Sequence, residues 1–279
     1  MLGRRMIKMN NIVAIIAGDG ALPEAICSKL HREGIPVYLF PLADDVRSLS
    51  PYVTEIIPVT SLNLQVLLEK MLIKKVDTVI LAGRVPKSLM YNRAALDELL
   101  RLSLCNGGTN DDHALLGRIV QTIERSGLRV AGYRSIVPEL LAEMDFIAGR
   151  QPTEQEKRDI EYGRYILSHT LSLSFGQSVV VCDGSVVAIE AMEGTDAMLK
   201  RAGELVRGGS VVKMMRADQD ERFDIPVVGP LTLEGMKTAG QTCLALEAGR
   251  TLILEKEQFL QLAESANISV VGVESCQSL

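Results

Sequence analysis

The acid-rich segment 216–224 carries the residues best suited to chemistry in this 279-residue sequence. Its charged residues, with the lysine shortly before them, are Lys213, Arg216, Asp218, Asp220, Glu221, Arg222 and Asp224. Carboxylate oxygens suit Mg²⁺ beside a diphosphate, because phosphate oxygens and water complete the coordination. Such an ion polarises phosphoryl oxygens, while lysine or arginine balances developing negative charge. The pattern predicts catalytic roles for Lys213, Arg222 and Asp224 and metal contacts from Asp220 and Asp224.

Asp224 differs from the other acids of this segment in its neighbours. It lies between Phe223 and Ile225, and Pro226 follows. Its carboxylate therefore projects from a stiffened and partly apolar stretch of backbone rather than from a flexible tip. The alternative interpretation, a solvated loop without a chemical role, stays open on these residues alone.

A second candidate is the turn Gly18-Asp19-Gly20, which lies between an apolar run and a predicted helix. The free backbone N–H groups and the dipole of a helix N-terminus favour an anion. A dinucleotide site needs a third glycine where Pro23 stands, so the sequence fits an NAD(P)-dependent enzyme poorly. The turn is predicted to contact a phosphate or a sugar, and a plain βα turn is the alternative.

The segment EAMEGTDAM, residues 190–198, offers a third group of polar side chains. Glu190, Glu193 and Asp196 supply carboxylates, and Thr195 stands where a helix is expected to begin. The chain has no His-x-x-x-His, Gly-x-Ser-x-Gly or Walker pattern. The candidate chemistry therefore rests on carboxylates, basic side chains and phosphate-binding turns.

The first half of the chain must position the Gly18 turn, and its pattern is that of βαβ units. Apolar runs occupy residues 12–17, 37–40, 76–82 and 128–131. Helices are expected between them at 23–33, at 62–74 behind a Ser61 cap, and from about 112 to 126. The predicted fold class is α/β, with a Rossmann-like N-terminal domain on a parallel sheet over residues 1–141.

The second half must position the acid-rich segment. A polar stretch with a helix, residues 142–169, is assigned as a linker. Beyond it, two β-rich runs flank Asp183-Gly184, which is typical of a hairpin. Further strands are expected at 210–215, 242–246 and 251–254, with a helix near 231–239. This pattern predicts a mixed α+β C-terminal domain over residues 170–279 that carries the catalytic acids.

Composition argues against several classes of protein. The formal net charge of −5 and the pI near 5.4 argue against a nucleic-acid binder, which needs a basic face. The five cysteines are scattered and never spaced as Cys-x-x-Cys, which argues against a disulfide framework or a zinc ribbon. No run approaches the roughly 18 apolar residues of a membrane span, so a cytoplasmic protein is expected.

Five segments, taken in order, resemble the LpxI family, the UDP-2,3-diacylglucosamine pyrophosphatases of lipid A biosynthesis. They are IAGDGALP, GTNDDHALLGRI, EAMEGTDAM, QDERFDIPVVG and EAGRTLILE, and the resemblance runs from about Asn11 to Val273. It implies Mg²⁺-dependent hydrolysis, with Mn²⁺ as a substitute, of the substrate diphosphate to UMP and 2,3-diacylglucosamine 1-phosphate (lipid X). It also implies a homodimer that holds the lipid between its two domains, with peripheral contact at the inner face of the inner membrane.

The resemblance also assigns residues. The family's essential metal-linked aspartate matches Asp224, and its glycine-rich turn matches Gly18 and Gly20, where Asp19 is a departure from the small residue of many relatives. Its Glu-Gly-Thr-Asp segment implies substrate contacts from Glu193, Gly194, Thr195 and Asp196. Two alternatives stay open: a non-catalytic module that binds a nucleotide sugar or a lipid, and a metal-dependent phosphoryl or nucleotidyl transferase.

Overall fold

The computed structural model describes residues 12–42, 46–59, 63–84, 112–173, 176–215 and 219–275. The chain divides into two units. The N-terminal unit comprises Met1–Val137 together with Arg222–Asp224, and the C-terminal unit comprises Pro138–Glu221 and Ile225–Leu279. A three-residue piece of the acid-rich segment therefore belongs to the N-terminal unit.

The N-terminal unit is built on a five-stranded parallel sheet in the order β3-β2-β1-β4-β5. Its elements are β1 (Val13–Ala17), α1 (Leu22–Arg32), β2 (Val37–Pro41), β3 (Glu55–Ile56), α2 (Leu64–Ile73), β4 (Thr78–Ala82), α3 (Asp112–Arg125), β5 (Arg129–Val130) and α4 (Tyr133–Ile136). Every residue of β1 and β4 is buried, as expected for central strands covered on both faces. The predicted Rossmann-like parallel sheet is confirmed.

One detail of this unit differs from the sequence prediction. Helix α2 begins at Leu64, and its cap is Asn63, whose Oδ1 accepts a 2.9 Å hydrogen bond from the Val66 backbone N–H. The predicted cap, Ser61, lies outside the described residues. Asparagine caps as well as serine does, so two polar residues in sequence left the start of the helix ambiguous.

The C-terminal unit contains a six-stranded mixed sheet in the order β6-β13-β11-β9-β7-β8 and a small parallel pair, β10 and β12. Its elements are β6 (Asp145–Ala148), α5 (Glu154–Thr170), β7 (Ser178–Cys182), β8 (Ser185–Ile189), α6 (Thr195–Leu205), β9 (Ser210–Lys213), β10 (Val227–Val228), α7 (Pro230–Ala239), β11 (Cys243–Glu247), β12 (Leu252–Ile253), α8 (Lys256–Ser265) and β13 (Ser269–Val273). Strands β9, β11 and β13 are parallel, while β6, β7 and β8 run antiparallel to their neighbours. This confirms the mixed α+β architecture.

Helix α5, which the sequence analysis assigned to a linker, packs on this sheet. Its Ile160 and Leu167 are buried in the cluster that includes Val179 and Val212. The approach is close at Gly163, where an added Cβ would lie 2.6 Å from Val212 Cγ2. The ranges 1–141, 142–169 and 170–279 stay a prediction of the domain organisation.

Asp159, on the buried face of α5, fixes the predicted hairpin between β7 and β8. The residue is 2% exposed, and its carboxylate accepts hydrogen bonds from the backbone N–H groups of Asp183 (3.1 Å) and Gly184 (2.8 Å). Both turn residues have positive φ, 50° and 74°, as the tight turns of two-residue hairpins require. A buried carboxylate thus joins the helix to the tip of the hairpin.

We expect Asp159→Ala to lower the free energy of unfolding by about 2 kcal/mol, because the backbone N–H groups of the turn lose a buried, charged acceptor. Glu161→Ala, an exposed change on the same helix that removes only the ion pair with Arg164, should cost under about 1 kcal/mol. Denaturant unfolding of both variants measures the difference. Equal losses would contradict a special role for Asp159.

No helix in the described part of the chain is long and apolar enough to span a bilayer.

Candidate functional site

The Gly18-Asp19-Gly20 turn follows β1 and leads into α1. Gly18 lies so close to the end of β4 that an added Cβ would lie 2.2 Å from the Arg84 carbonyl oxygen. Asp19 and Arg84 exchange two backbone hydrogen bonds of 2.8 Å each, and Gly20 has φ +108°. These contacts alone demand both glycines. No side chain caps the start of α1, so the turn still offers the backbone donors that an anion needs.

The Glu-Gly-Thr-Asp segment forms the start of α6. Gly194 is the N-cap with φ +81°, no side chain caps the first turn, and Thr195 and Asp196 are the first two helical residues. Glu193 points elsewhere, since its carboxylate accepts a 2.6 Å hydrogen bond from Arg201. Gly194, Thr195 and Asp196 therefore share the helix N-terminus, and the Glu193 side chain does not join them.

Lys213, the last residue of β9, reaches this helix start. It is 5% exposed, and its Nζ donates a 2.8 Å hydrogen bond to Thr195 Oγ1. The Thr195 hydroxyl in turn donates a 2.9 Å bond to Glu190 Oε1. Glu190 is 8% exposed, and its other oxygen accepts a 3.4 Å bond from the Gln177 backbone N–H. A lysine, a hydroxyl and a carboxylate thus form one hydrogen-bonded chain, the Lys213 cluster (Lys213, Thr195, Glu190).

The start of α6 beside the Lys213 cluster combines a buried ammonium with uncapped backbone donors. Burial lowers the pKa of Lys213, and the negative charges of Glu190 and Asp196 only partly offset that effect. Ser178 lies directly opposite Lys213 on β7, so both side chains share one face of the sheet. Ser178 is fully buried, and its hydroxyl finds no hydrogen-bond partner within the described residues. An anion at this helix start would accept hydrogen bonds from donors that otherwise lack a partner in the described part of the protein, which is energetically unfavourable for buried groups.

Arg222 and Asp224 belong to the N-terminal unit. Arg222 donates a 2.6 Å hydrogen bond to Glu124 of α3, and Phe223 packs against the apolar core of this unit. Asp224 is half-buried. Burial, followed by the negative charge of Asp224, raises the pKa of Tyr133. The Tyr133 hydroxyl donates to the carbonyl oxygen of Leu81 in β4. The three-residue segment is therefore held by an ion pair and an apolar anchor.

The carboxylates of the acid-rich segment are the candidate donors for a metal ion. Asp220 and Asp224 are half-buried carboxylates, whereas Arg216 and Asp218 lie outside the described residues. Across the ranges that the structure describes, no three or more His, Cys, Asp or Glu residues cluster as a metal cage. Mg²⁺ takes one or two protein carboxylates and completes its octahedron with phosphates and water, so the chemistry of either carboxylate suits it.

Two residues of the EAGRTLILE segment organise the acid-rich segment, and sequence analysis gave them no role. Glu247, 1% exposed at the end of β11, accepts hydrogen bonds from the Met215 backbone N–H (2.6 Å) and Arg250 Nη1 (3.1 Å). Arg250 Nε also lies 3.6 Å from Glu221. The available sequence signal was the spacing of Glu247 and Arg250, an acid and a base three residues apart at the end of a buried strand.

Comparison with known proteins covers most of the chain. The model of the LpxI N-terminal domain matches residues 12–140, and that of the LpxI C-terminal domain matches residues 143–271. A Caulobacter vibrioides protein named UDP-2,3-diacylglucosamine pyrophosphatase LpxI is 29% identical, over 94% of this chain and 97% of the relative. The two domain models meet near residue 141, close to the division at Val137 and Pro138.

Proposed function

The chain belongs to the LpxI family, and from that premise we propose that it hydrolyses UDP-2,3-diacylglucosamine in lipid A biosynthesis. The name of the Caulobacter vibrioides relative, a pyrophosphatase, supports this substrate and makes the protein a hydrolase. The products of the proposed reaction are UMP and 2,3-diacylglucosamine 1-phosphate. A homodimer, a cytoplasmic location and peripheral contact with the inner membrane, where an acylated substrate would reside, belong to the same proposal.

The proposed reaction exchanges one P–O bond for another. The oxygen of a water molecule bonds to one phosphorus, and the bond from that phosphorus to the bridging oxygen breaks. The leaving phosphate keeps the electron pair of the broken bond, and the water gives up a proton. Attack at either phosphorus gives the same two products, so the site must hold the whole diphosphate and stabilise its developing charge.

The observation that carries the proposal is the Lys213 cluster at the start of α6. A buried ammonium, a hydroxyl bonded to it and an uncapped helix N-terminus together make a site for phosphate oxygens. We assign the diphosphate to this site, with Gly194, Thr195 and Asp196 as substrate contacts, while the Glu193 carboxylate pairs with Arg201. The Gly18-Asp19-Gly20 turn is assigned a second substrate contact through its uncapped helix start.

Asp224 and Asp220 are the residues that we assign to Mg²⁺, with Mn²⁺ as a substitute, because their carboxylates are the hard oxygen ligands that these ions prefer. When bound, such an ion polarises phosphoryl oxygens and lowers the pKa of a coordinated water. Arg222 is assigned a charge-balancing role. Its guanidinium already pairs with Glu124, which holds the segment 222–224 in place beside α3.

The test is UMP release from UDP-2,3-diacylglucosamine by the purified full-length protein. We expect release to fall when EDTA removes divalent metal and to return with added Mg²⁺ or Mn²⁺. UDP-N-acetylglucosamine, which lacks long acyl chains, should be a poor substrate. Full activity after exhaustive chelation would remove the metal from the mechanism, and equal turnover of both substrates would contradict the lipid assignment.

The same assay separates the alternatives. Tight binding of the substrate without UMP release, at any metal concentration, would indicate a non-catalytic binding module. Product that forms only when an acceptor other than water is supplied, as followed by mass spectrometry, would indicate a phosphoryl or nucleotidyl transferase. A change in nicotinamide fluorescence on titration with NAD(P)H would support the dinucleotide alternative.

A further inference from the structure

We propose that Glu190 is a positioning residue of the diphosphate site, which orients the Thr195 hydroxyl and supplies the negative charge that keeps Lys213 cationic. This inference rests on the proposed function. Sequence analysis named Glu190 only as one of three carboxylates in the segment 190–198, and the resemblance assigned substrate contacts only from Glu193 onward. In the folded chain the Glu190 carboxylate is linked to Lys213 by hydrogen bonds through the Thr195 hydroxyl.

The backbone around Glu190 leaves its carboxylate little freedom. Its N–H donates a 2.9 Å hydrogen bond to the Ser178 carbonyl oxygen. Gly176 packs so tightly against it that an added Cβ would lie 2.0 Å from the Glu190 carbonyl oxygen. The Gln177 N–H donates to Oε2, which leaves Oε1 directed at Thr195. Contacts with residues 176–178 therefore fix the position of the Glu190 carboxylate before any ligand binds.

Hydrogen-bond chemistry then fixes the Thr195 hydroxyl. A hydroxyl has one proton to donate, and an ionised carboxylate can only accept. Thr195 must therefore donate to Glu190, and its lone pairs are left for Lys213, whose ammonium can only donate. A glutamine at residue 190 could donate as well as accept, so it would no longer dictate which way the hydroxyl points.

Charge is the second part of the role. The acidic groups that face Lys213, among the described elements packed around it, are Glu190 after β8 and Asp196 on α6. Burial alone favours a neutral amine, and Glu190 is the larger of the two opposing influences on the pKa of Lys213. Loss of this one charge should let the amine lose its proton at lower pH, and a neutral amine attracts diphosphate oxygens weakly.

The experiment compares the pH dependence of kcat/KM for UMP release in wild type and Glu190→Gln. We expect the alkaline limb of the profile to move to lower pH by about one unit, because the proposed site needs a protonated Lys213 to bind the diphosphate. Glu190→Asp keeps the charge but shortens the side chain, so its limb should stay near that of wild type while kcat/KM falls. Glu204→Gln, the same change at an exposed position of α6, should match wild type.

A second measurement needs no turnover. The Kd of UDP is measured between pH 6 and 10. As pH increases, binding should begin to weaken at a lower pH in Glu190→Gln than in wild type, because Lys213 loses its charge earlier. A folded Glu190→Gln protein with wild-type pH profiles in both measurements would overturn the inference. If that variant does not fold, an unchanged kcat/KM in Glu190→Asp would overturn it instead. Failure of the proposed function is distinct, since wild type itself would then release no UMP.

Discussion

Asp224→Asn is expected to lower turnover at least about 100-fold while the protein stays folded. The substitution keeps the size of the side chain and removes its charge, so a carboxylate that binds metal or orients water is lost. A 100-fold change corresponds to about 2.7 kcal/mol of barrier. Because Asp224 is half-buried and its segment is anchored by Phe223 and the Arg222–Glu124 pair, stability should stay within about 1 kcal/mol of wild type.

The matched control is Asp183→Asn, the same loss of charge at an exposed residue in the hairpin turn between β7 and β8. Asparagine accepts the positive φ of Asp183, so neither fold nor turnover should change measurably. The measurements are Mg²⁺-dependent UMP release and melting curves for both variants. Near-normal turnover in folded Asp224→Asn would falsify its catalytic assignment, and a collapsed melting temperature would make the carboxylate structural.

Lys213→Met is expected to lower kcat/KM by roughly 100-fold or more, because a preorganised charge at a phosphate site is removed. Methionine removes the desolvation cost of the ammonium, but it also leaves the buried Glu190 carboxylate without its counter-charge. A moderate loss of stability is therefore expected, with the protein still folded under assay conditions. Lys213→Arg should not restore activity, since the planar guanidinium cannot take the place of a compact ammonium beside Thr195.

Lys200→Met on the exposed side of α6 is the control for this prediction, because it makes the same change where no bound phosphate is expected. Steady-state kinetics and denaturant unfolding of the three variants test the assignment. A Lys213→Met protein that is unfolded under assay conditions would indicate that the lysine supports the fold. Wild-type kinetics in a stable variant would remove Lys213 from the site.

The sequence predicted the secondary-structure elements well, because strands, turns and helix starts depend mainly on neighbouring residues. Apolar runs gave the parallel strands of the N-terminal unit, and Asp183-Gly184 gave the hairpin, since turn chemistry depends on adjacent residues. The start of α6 at Thr195 likewise follows from the glycine before it. The packing of α5 could not be read in the same way: the polar residues of this helix are visible in sequence, but the sheet under its apolar face is not.

The Lys213 cluster could not be assembled from sequence. Lys213 and Thr195 lie 18 residues apart, and they meet because β9 pairs with β7, which places the end of β9 beside the start of α6. The bond from Met215 to Glu247 spans 32 residues, and that from Arg222 to Glu124 spans 98. Register and strand order decide such contacts, and neither is encoded within one segment.

The membership of Arg222–Asp224 in the N-terminal unit has a consequence for any attempt to split the protein. Residues on both sides of this segment belong to the C-terminal unit, so no single break in the polypeptide separates the two units. A fragment that stops at Val137 lacks Phe223, leaving open the part of its core that this ring covers, and Glu124 loses the guanidinium of Arg222. An N-terminal half expressed by itself would therefore lack residues 222–224, which lie in the C-terminal half of the sequence.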